Sequence, residues 1–282
     1  MTDESLDLLV RMHAEESSLA PRIAAVLPDV ARIAGAIATR MLSGRRWFSI
    51  GAGTSGRLCV LDAAELPPTF GTDPRDVVAL IAGGPAALLE ALEGAEDDRD
   101  AAERDLRAAG IEAGDVVLGV AASGATPYVA GGLRFARAFG AFTVAFSCRR
   151  DAAISALAEC ALEVDTGPEV LSGSTRLKAG SAQKQVLNML STAVMNARGL
   201  IVRGEMAAMR PTNAKLRDRA ERIVRDLTGV DPATARTLLE RSGWHLPTSL
   251  VCARHRVSVE QARSHLARHR GSVRAALEQD PR

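Results

Sequence analysis

The chain has 282 residues, 47% of them hydrophobic and 24% charged, with a net charge of +1. That suits one large α/β domain, or a medium domain with a small appendage. Nothing in this balance favours a basic surface for nucleic acid or an acidic interaction tail. Only 3% of the residues are aromatic, so the core must come from Ala, Val, Leu and Ile.

The N-terminal stretch MTDESLDLLVRMHAEESS is acidic and amphipathic, without the basic start and apolar run of a secretory signal. No run approaches the roughly 18 apolar residues of a membrane span. Cys59, Cys148, Cys160 and Cys252 are scattered, with no C-x-x-C spacing, and read as small hydrophobes in a reduced cytoplasm.

Residues 1–44 read as an N-terminal helical segment, interrupted at Pro28 and ended by Ser43-Gly44. Short β-branched runs then alternate with helical patterns. Strands are expected at 47–50, 77–82, 116–121, 142–147 and 160–164, with helix-length segments at 85–109 and 127–139 between them. A long helical pattern covers Lys178 to Asn196. Strands alternating with helices predict an α/β fold, a doubly wound parallel sheet over residues 45–200. Residues 201–282 form a C-terminal helical region, with no strand candidate after about 212. Within it, 231–280 read as a small three-helix unit, with Asp231-Pro232 opening one helix and Ser258 capping another.

Three turns stand out. Gly51-Ala52-Gly53-Thr54-Ser55-Gly56-Arg57 matches G-x-G-x-x-G, which alone is a weak dinucleotide signal. A dinucleotide site needs an acidic residue at the end of the second strand, and here that strand ends Ile81-Ala82-Gly83-Gly84. A nicotinamide or flavin cofactor is therefore not expected. The other reading is a phosphate monoester held by backbone N–H groups and hydroxyls at a helix N-terminus, with Gly53, Thr54, Ser55 and Gly56 as its binding residues. Ser123, Gly124 and Thr126 make a second such turn after the third strand. Ser172, Ser174 and Thr175 make a third, before the long helix. One hydroxyl-rich turn is usually a cap. Three, two of them where open α/β sheets bind ligands, point to a sugar phosphate.

The longer strings carry a specific resemblance. They are GAGTSGRLCVLDAAELPPTFG at 51–71, IAGG at 81–84, EGAEDD at 93–98, GVAASGATPYVAGGL at 119–133, GPEVLSGSTRLKAGSAQKQVLNMLST at 167–192 and TNAKLRDRAERIV at 212–224. The layout resembles a sugar isomerase (SIS) domain, and these strings resemble the N-acetylmuramic acid 6-phosphate etherases from about residue 22 onward. That resemblance implies cleavage of the lactyl ether at C3 of the sugar, giving N-acetylglucosamine 6-phosphate and D-lactate in cell-wall recycling, without a metal or organic cofactor. It implies Glu65, in DAAELPP, as the acid and Glu96, in EGAEDD, as the second catalytic glutamate. The chain departs from the family's pattern at Ala125, where an arginine is usual. The family's Thr-Glu and Asn pattern ahead of the first long helix also has no counterpart in these residues.

Carboxylates suit the chemistry. An ether is a poor leaving group, so one carboxyl must protonate the departing oxygen while another removes a proton made acidic by the opened C1 aldehyde. Their environments must hold the two carboxyls in opposite protonation states. Other readings stand beside this one. Glu65 could be a surface acid at a helix end. Glu93, Asp97 and Asp98 read as a solvated face. Glu169 either orients a sugar hydroxyl or closes a turn. Lys178 and Lys184 could face solvent, and His13, His245, His255, His265 and His269 lack ligand spacing for a metal site. A non-catalytic phosphosugar sensor, like the related glucokinase regulatory protein, would keep the turns without needing both glutamates. A sugar-phosphate isomerase would need a base but no leaving-group acid. Reach adds one more expectation. Glu65 lies ten residues after Ser55, or roughly 15 Å along a straight helix. The C3 ether is nearer than that to the C6 phosphate, so either the helix is bent or shorter, or a second subunit completes the pocket; a homodimer with a shared site is the expectation.

Overall fold

A computed structural model describes residues 3–281. The five expected strands form one parallel sheet: β1 (Trp47–Gly51), β2 (Val77–Ile81), β3 (Val116–Ala121), β4 (Phe142–Ser147) and β5 (Cys160–Glu163), in the order β2-β1-β3-β4-β5. Trp47 pairs with Val77 on one side and Val116 on the other. The order reverses direction between β1 and β3, which is the switch point where doubly wound sheets open a crevice at the strand carboxyl ends. Every residue of β1, β3 and β4 is buried, whereas the edge strands β2 and β5 are only partly so. Helices on both faces explain why the central strands read as unbroken apolar runs.

The chain divides into two compact units, one of residues 1–63 and 75–191, the other of 64–74 and 192–282. The first holds the sheet, with α1 (Asp3–Ser17), α2 (Leu19–Leu42), α4 (Ala101–Ala108) and α5 (Pro127–Ala138). Its core is aliphatic as expected, but the few aromatics are placed at its centre: Trp47, Phe48, Tyr128 and Phe146 are fully buried. The hydroxyl of Tyr128 remains satisfied by donating to Asp105 at 2.7 Å. The helices α3 (Gly53–Phe70) and α6 (Lys178–Ala197) begin in this unit.

The second unit holds a two-stranded hairpin, β6 (Ile201–Val202) and β7 (Glu205–Met206), and five helices. These are α7 (Ala214–Thr228), α8 (Pro232–Arg241), α9 (Leu246–His255), α10 (Val259–Arg268) and α11 (Val273–Glu278). Asn213, Asp231, Ser258 and Ser272 each accept a backbone N–H as N-caps, and Ser258 completes a capping box with Gln261. α9 is the hub, buried without a break from Leu246 to Cys252 and packed against α7, α8, α10 and α11.

Three expectations are corrected. Pro28 does not interrupt the N-terminal helices; it lies inside α2, and the break falls at Ser18. Pro28 and Ala24 are both exposed, so the carbonyl that proline leaves unpaired faces water. The segment 85–109 is not one helix but two short 3₁₀ turns, Pro85–Leu88 and Ala95–Asp97, followed by α4. Gly84 and Gly94, at φ +70° and +74°, break the helical path. The 231–280 stretch holds four helices rather than three, because Gly271 (φ +79°) and the Ser272 cap start α11 as a separate turn.

Candidate functional site

The first turn is almost entirely a helix start. β1 ends at Gly51 and α3 begins at Gly53, so the free N–H groups of residues 53–55 sit at the carboxyl end of the sheet. Gly56 is required by packing. A Cβ there would lie 2.6 Å from Ile81 Cγ1 and 2.8 Å from the Gly51 carbonyl oxygen. In the second turn, Gly124 takes φ +71° and leaves no room for a side chain beside Ala152. Ser123 is exposed, its Oγ accepting the Ala125 N–H at 3.3 Å, and Thr126-Pro127 opens α5.

These turns converge. A cavity of about 430 Å³ is lined by Gly53, Thr54 and Ser55 of the first turn, Ser123, Ala125 and Thr126 of the second, and Gly173 and Thr175 of the third, with Glu96 on its wall. Glu96 is exposed, in the 3₁₀ turn after β2, and also borders a smaller cavity of about 200 Å³ lined by Glu93 and Asp97. The wall of the larger cavity includes no lysine or arginine among the described residues. Of the cations nearby, Arg57 is pinned to the carbonyls of Leu88 and Glu90. Arg150 pairs with Asp165 at 3.3 Å. Arg149 lines an adjoining cavity of about 640 Å³ that shares Ser123, Gly173 and Thr175 with the first.

Other candidate residues stand elsewhere. Glu65 is exposed on α3 and outside the lining of that cavity. Gly56 and Gly124 shape their turns without lining it, and neither Ser172, which is exposed, nor Ser174, which is half-buried, is part of its wall. Glu169 lines the adjoining cavity and spends both carboxylate oxygens on the start of α6, accepting the N–H groups of Lys178 (3.0 Å) and Ala179 (2.9 Å). That is a favourable place for a negative charge. Asp98 likewise accepts N–H groups at the start of α4 and pairs with Arg104.

Lys178 corrects the solvent-facing reading. It is 2% exposed and ion-paired with Glu15 of α1, while Lys184 is exposed. Two residues, Gln183 buried and Asp62 half-buried, went unread in the sequence because nothing in helical periodicity marks them. Gln183 accepts a hydrogen bond from Ser55 Oγ at 3.0 Å. Asp62, on α3, accepts one from Ser191 at 2.9 Å, and burial pushes its carboxyl up to about 6, against the lowering effect of that bond and of Lys184.

Comparisons with known proteins identify the family and the fold. Residues 29–137 match the glucokinase regulatory protein N-terminal SIS domain, and residues 225–250 match a UBA-like domain. An N-acetylmuramic acid 6-phosphate etherase from Salmonella agona (strain SL483) is 49% identical over 272 residues, covering 96% of this chain and 92% of that protein. The chain belongs to the N-acetylmuramic acid 6-phosphate etherase family. Solved structures add the fold at greater distance. A phosphoheptose isomerase from Francisella tularensis superposes with a TM-score of 0.56 at 18% identity, over 70% of this chain and all of that one. A protein from E. coli CFT073 superposes with a TM-score of 0.53 at 15% identity, over 72% and 97% of the two chains. The first two turns of this etherase family member lie within the residues matched to the SIS domain.

Proposed function

We infer that this chain is a carbon–oxygen lyase that cleaves the C3 lactyl ether of N-acetylmuramic acid 6-phosphate, giving N-acetylglucosamine 6-phosphate and D-lactate. The observation that carries this reading onto the structure is the single cavity in which three hydroxyl-bearing turns meet one carboxylate, Glu96. The hydroxyls of Thr54, Ser55, Ser123, Thr126 and Thr175, with the free N–H groups at the start of α3, suit a phosphate monoester. In the ring-opened sugar, the C1 aldehyde makes the C2 proton acidic. A carboxylate takes that proton, the C2 electron pair forms the C2–C3 double bond, and the C3–O bond breaks as a carboxylic acid protonates the lactate oxygen. Water then adds to C3 of the unsaturated aldehyde as a proton returns to C2. The two glutamates assigned to this work are Glu65 as the acid and Glu96 as its counterpart.

We assign Glu65 to the site of a second copy of the chain. It stands ten residues after Ser55 on one unbroken helix, roughly 15 Å along its axis. The face that carries it also exposes Leu61, Ala64 and Pro68, an apolar surface suited to burial in a homodimer. The four free cysteines fit a reducing cytoplasm, and no helix among the described residues is long and apolar enough to cross a membrane. A sensor without catalysis would keep the phosphate turns but would release no lactate. The phosphate requirement is tested by comparing N-acetylmuramic acid 6-phosphate with its dephosphorylated form. The dephosphorylated sugar should be a very poor substrate, and equal efficiency on both would remove the phosphate assignment of the three turns.

A further inference from the structure

Gln183 lies in the second turn of α6 and is fully buried. Its Oε1 accepts the hydroxyl proton of Ser55 at 3.0 Å, and its Nε2 has no hydrogen-bond partner among the described residues. An unpaired buried amide N–H is costly enough that it needs a reason. Ser55 is itself 7% exposed and lines the cavity in which the three turns meet.

The pairing has a consequence for anion binding. A hydroxyl has one proton and two lone pairs. While the proton of Ser55 is directed at Gln183, its oxygen offers the cavity only lone pairs, which repel phosphate oxygens. The terminal torsion of glutamine is broad and roughly two-fold, so a half-turn exchanges Oε1 and Nε2. Nε2 then donates to Ser55 Oγ and gains the partner it lacks, and the proton of Ser55 is released toward the cavity. We propose that Gln183 is a positioning residue that converts Ser55 from acceptor to donor, so that a phosphate monoester in the cavity receives a charge-assisted hydrogen bond. The proposal rests on reading that cavity as the phosphosugar site.

The test uses Ser55→Ala, Gln183→Met and their combination, with inorganic phosphate as the calorimetric probe and the KM and kcat of lactate release as the kinetic readout. Each single variant should weaken phosphate binding about tenfold or more, as loss of one hydrogen bond to a charged group does. KM should rise by a similar factor, with kcat changed by less than about threefold. The double variant should bind phosphate no more weakly than Ser55→Ala alone, because Gln183 acts only through Ser55. Gln183→Leu, which likewise has no donor to give to Ser55, should show a loss similar to that in Gln183→Met. Wild-type phosphate binding in either folded Gln183 variant, or losses that multiply in the double variant, would overturn the proposal while leaving the phosphosugar site intact. Failure of both Gln183 variants to fold would make Gln183 a packing residue and overturn it too. Unchanged phosphate binding in Ser55→Ala would overturn the site reading and the proposal together.

Discussion

Glu96 and Glu65 show what a residue's neighbours decide. Glu96 lines the cavity formed by the three turns, whereas Glu65 lies on an exposed stretch of α3. Glu65→Gln and Glu96→Gln should each lower turnover by about 10²-fold or more, the usual scale for losing a general acid or base, with little change in melting temperature. Glu93→Gln, beside Glu96 but outside the larger cavity, should keep near wild-type rates. Near wild-type activity in either of the first two variants would take that residue out of the mechanism. These glutamates are assigned only through the strings around them, since an isolated Glu before Leu-Pro-Pro carries no chemical signature. Asp62 and Gln183 were not legible at all, because what distinguishes them is a hydrogen bond between α3 and α6, which only the fold creates.

Asp62 also makes a prediction about pH. Its folded carboxyl is raised to about 6 by burial, while in the unfolded chain it ionises near the ordinary value of about 3.9. Between those values the folded state keeps a proton that the unfolded state has lost, so stability falls as pH rises through the window. Below it both states are protonated and nothing is lost; above it the cost is at most about 3 kcal/mol. Asp62→Asn should flatten that slope and raise the thermal midpoint at pH 8 by about 2–6 °C, read by calorimetry across pH 4–8. A lower midpoint at pH 8 would show that the ionised carboxylate is stabilising instead.

At the scale of elements, the strands were the most legible part. Trp47–Gly51, Val116–Ala121 and Phe142–Ser147 are short, apolar and followed by turn residues, and being buried on both faces they carry no other pattern. The helices misread were those in which one residue's rule depends on its surroundings. Pro28 breaks a helix only where its orphaned carbonyl cannot reach water, and here it can. Residues 85–109 have helical composition, but Gly84 and Gly94 take conformations that helices exclude. α3 is the element on which the subunit arrangement turns, since it runs unbroken from Gly53 through Pro67 and Pro68 to Phe70. Mixing Glu65→Gln chains, slow in turnover, with Ser55→Ala,Ser123→Ala chains, weak in phosphate binding, should give more activity at low substrate than either parent if Glu65 serves the partner's site. No gain, with mixed dimers shown to form by native mass spectrometry, would put Glu65 and the phosphate turns to work within one chain.

For the whole molecule, order and connectivity explain the site. A β2-β1-β3-β4-β5 sheet places the carboxyl ends of β1 and β3 side by side at its switch point, and the first two turns follow those strands. The third turn joins them because Glu169 fixes the start of α6 through the N–H groups of Lys178 and Ala179. The helical C-terminal unit is built by its own caps and the buried α9, and the four short helices of residues 231–280 were read as three because Ser272 looks like loop until its cap is seen. The central claim is that the cavity of the sheet-bearing unit performs lactyl ether cleavage by elimination and water addition. It is tested most directly by incubating the purified protein with N-acetylmuramic acid 6-phosphate in ¹⁸O-water and analysing both products. The account predicts D-lactate without label and N-acetylglucosamine 6-phosphate carrying ¹⁸O at C3. Tight binding of the sugar phosphate with no lactate released, or label found in the lactate, would contradict it.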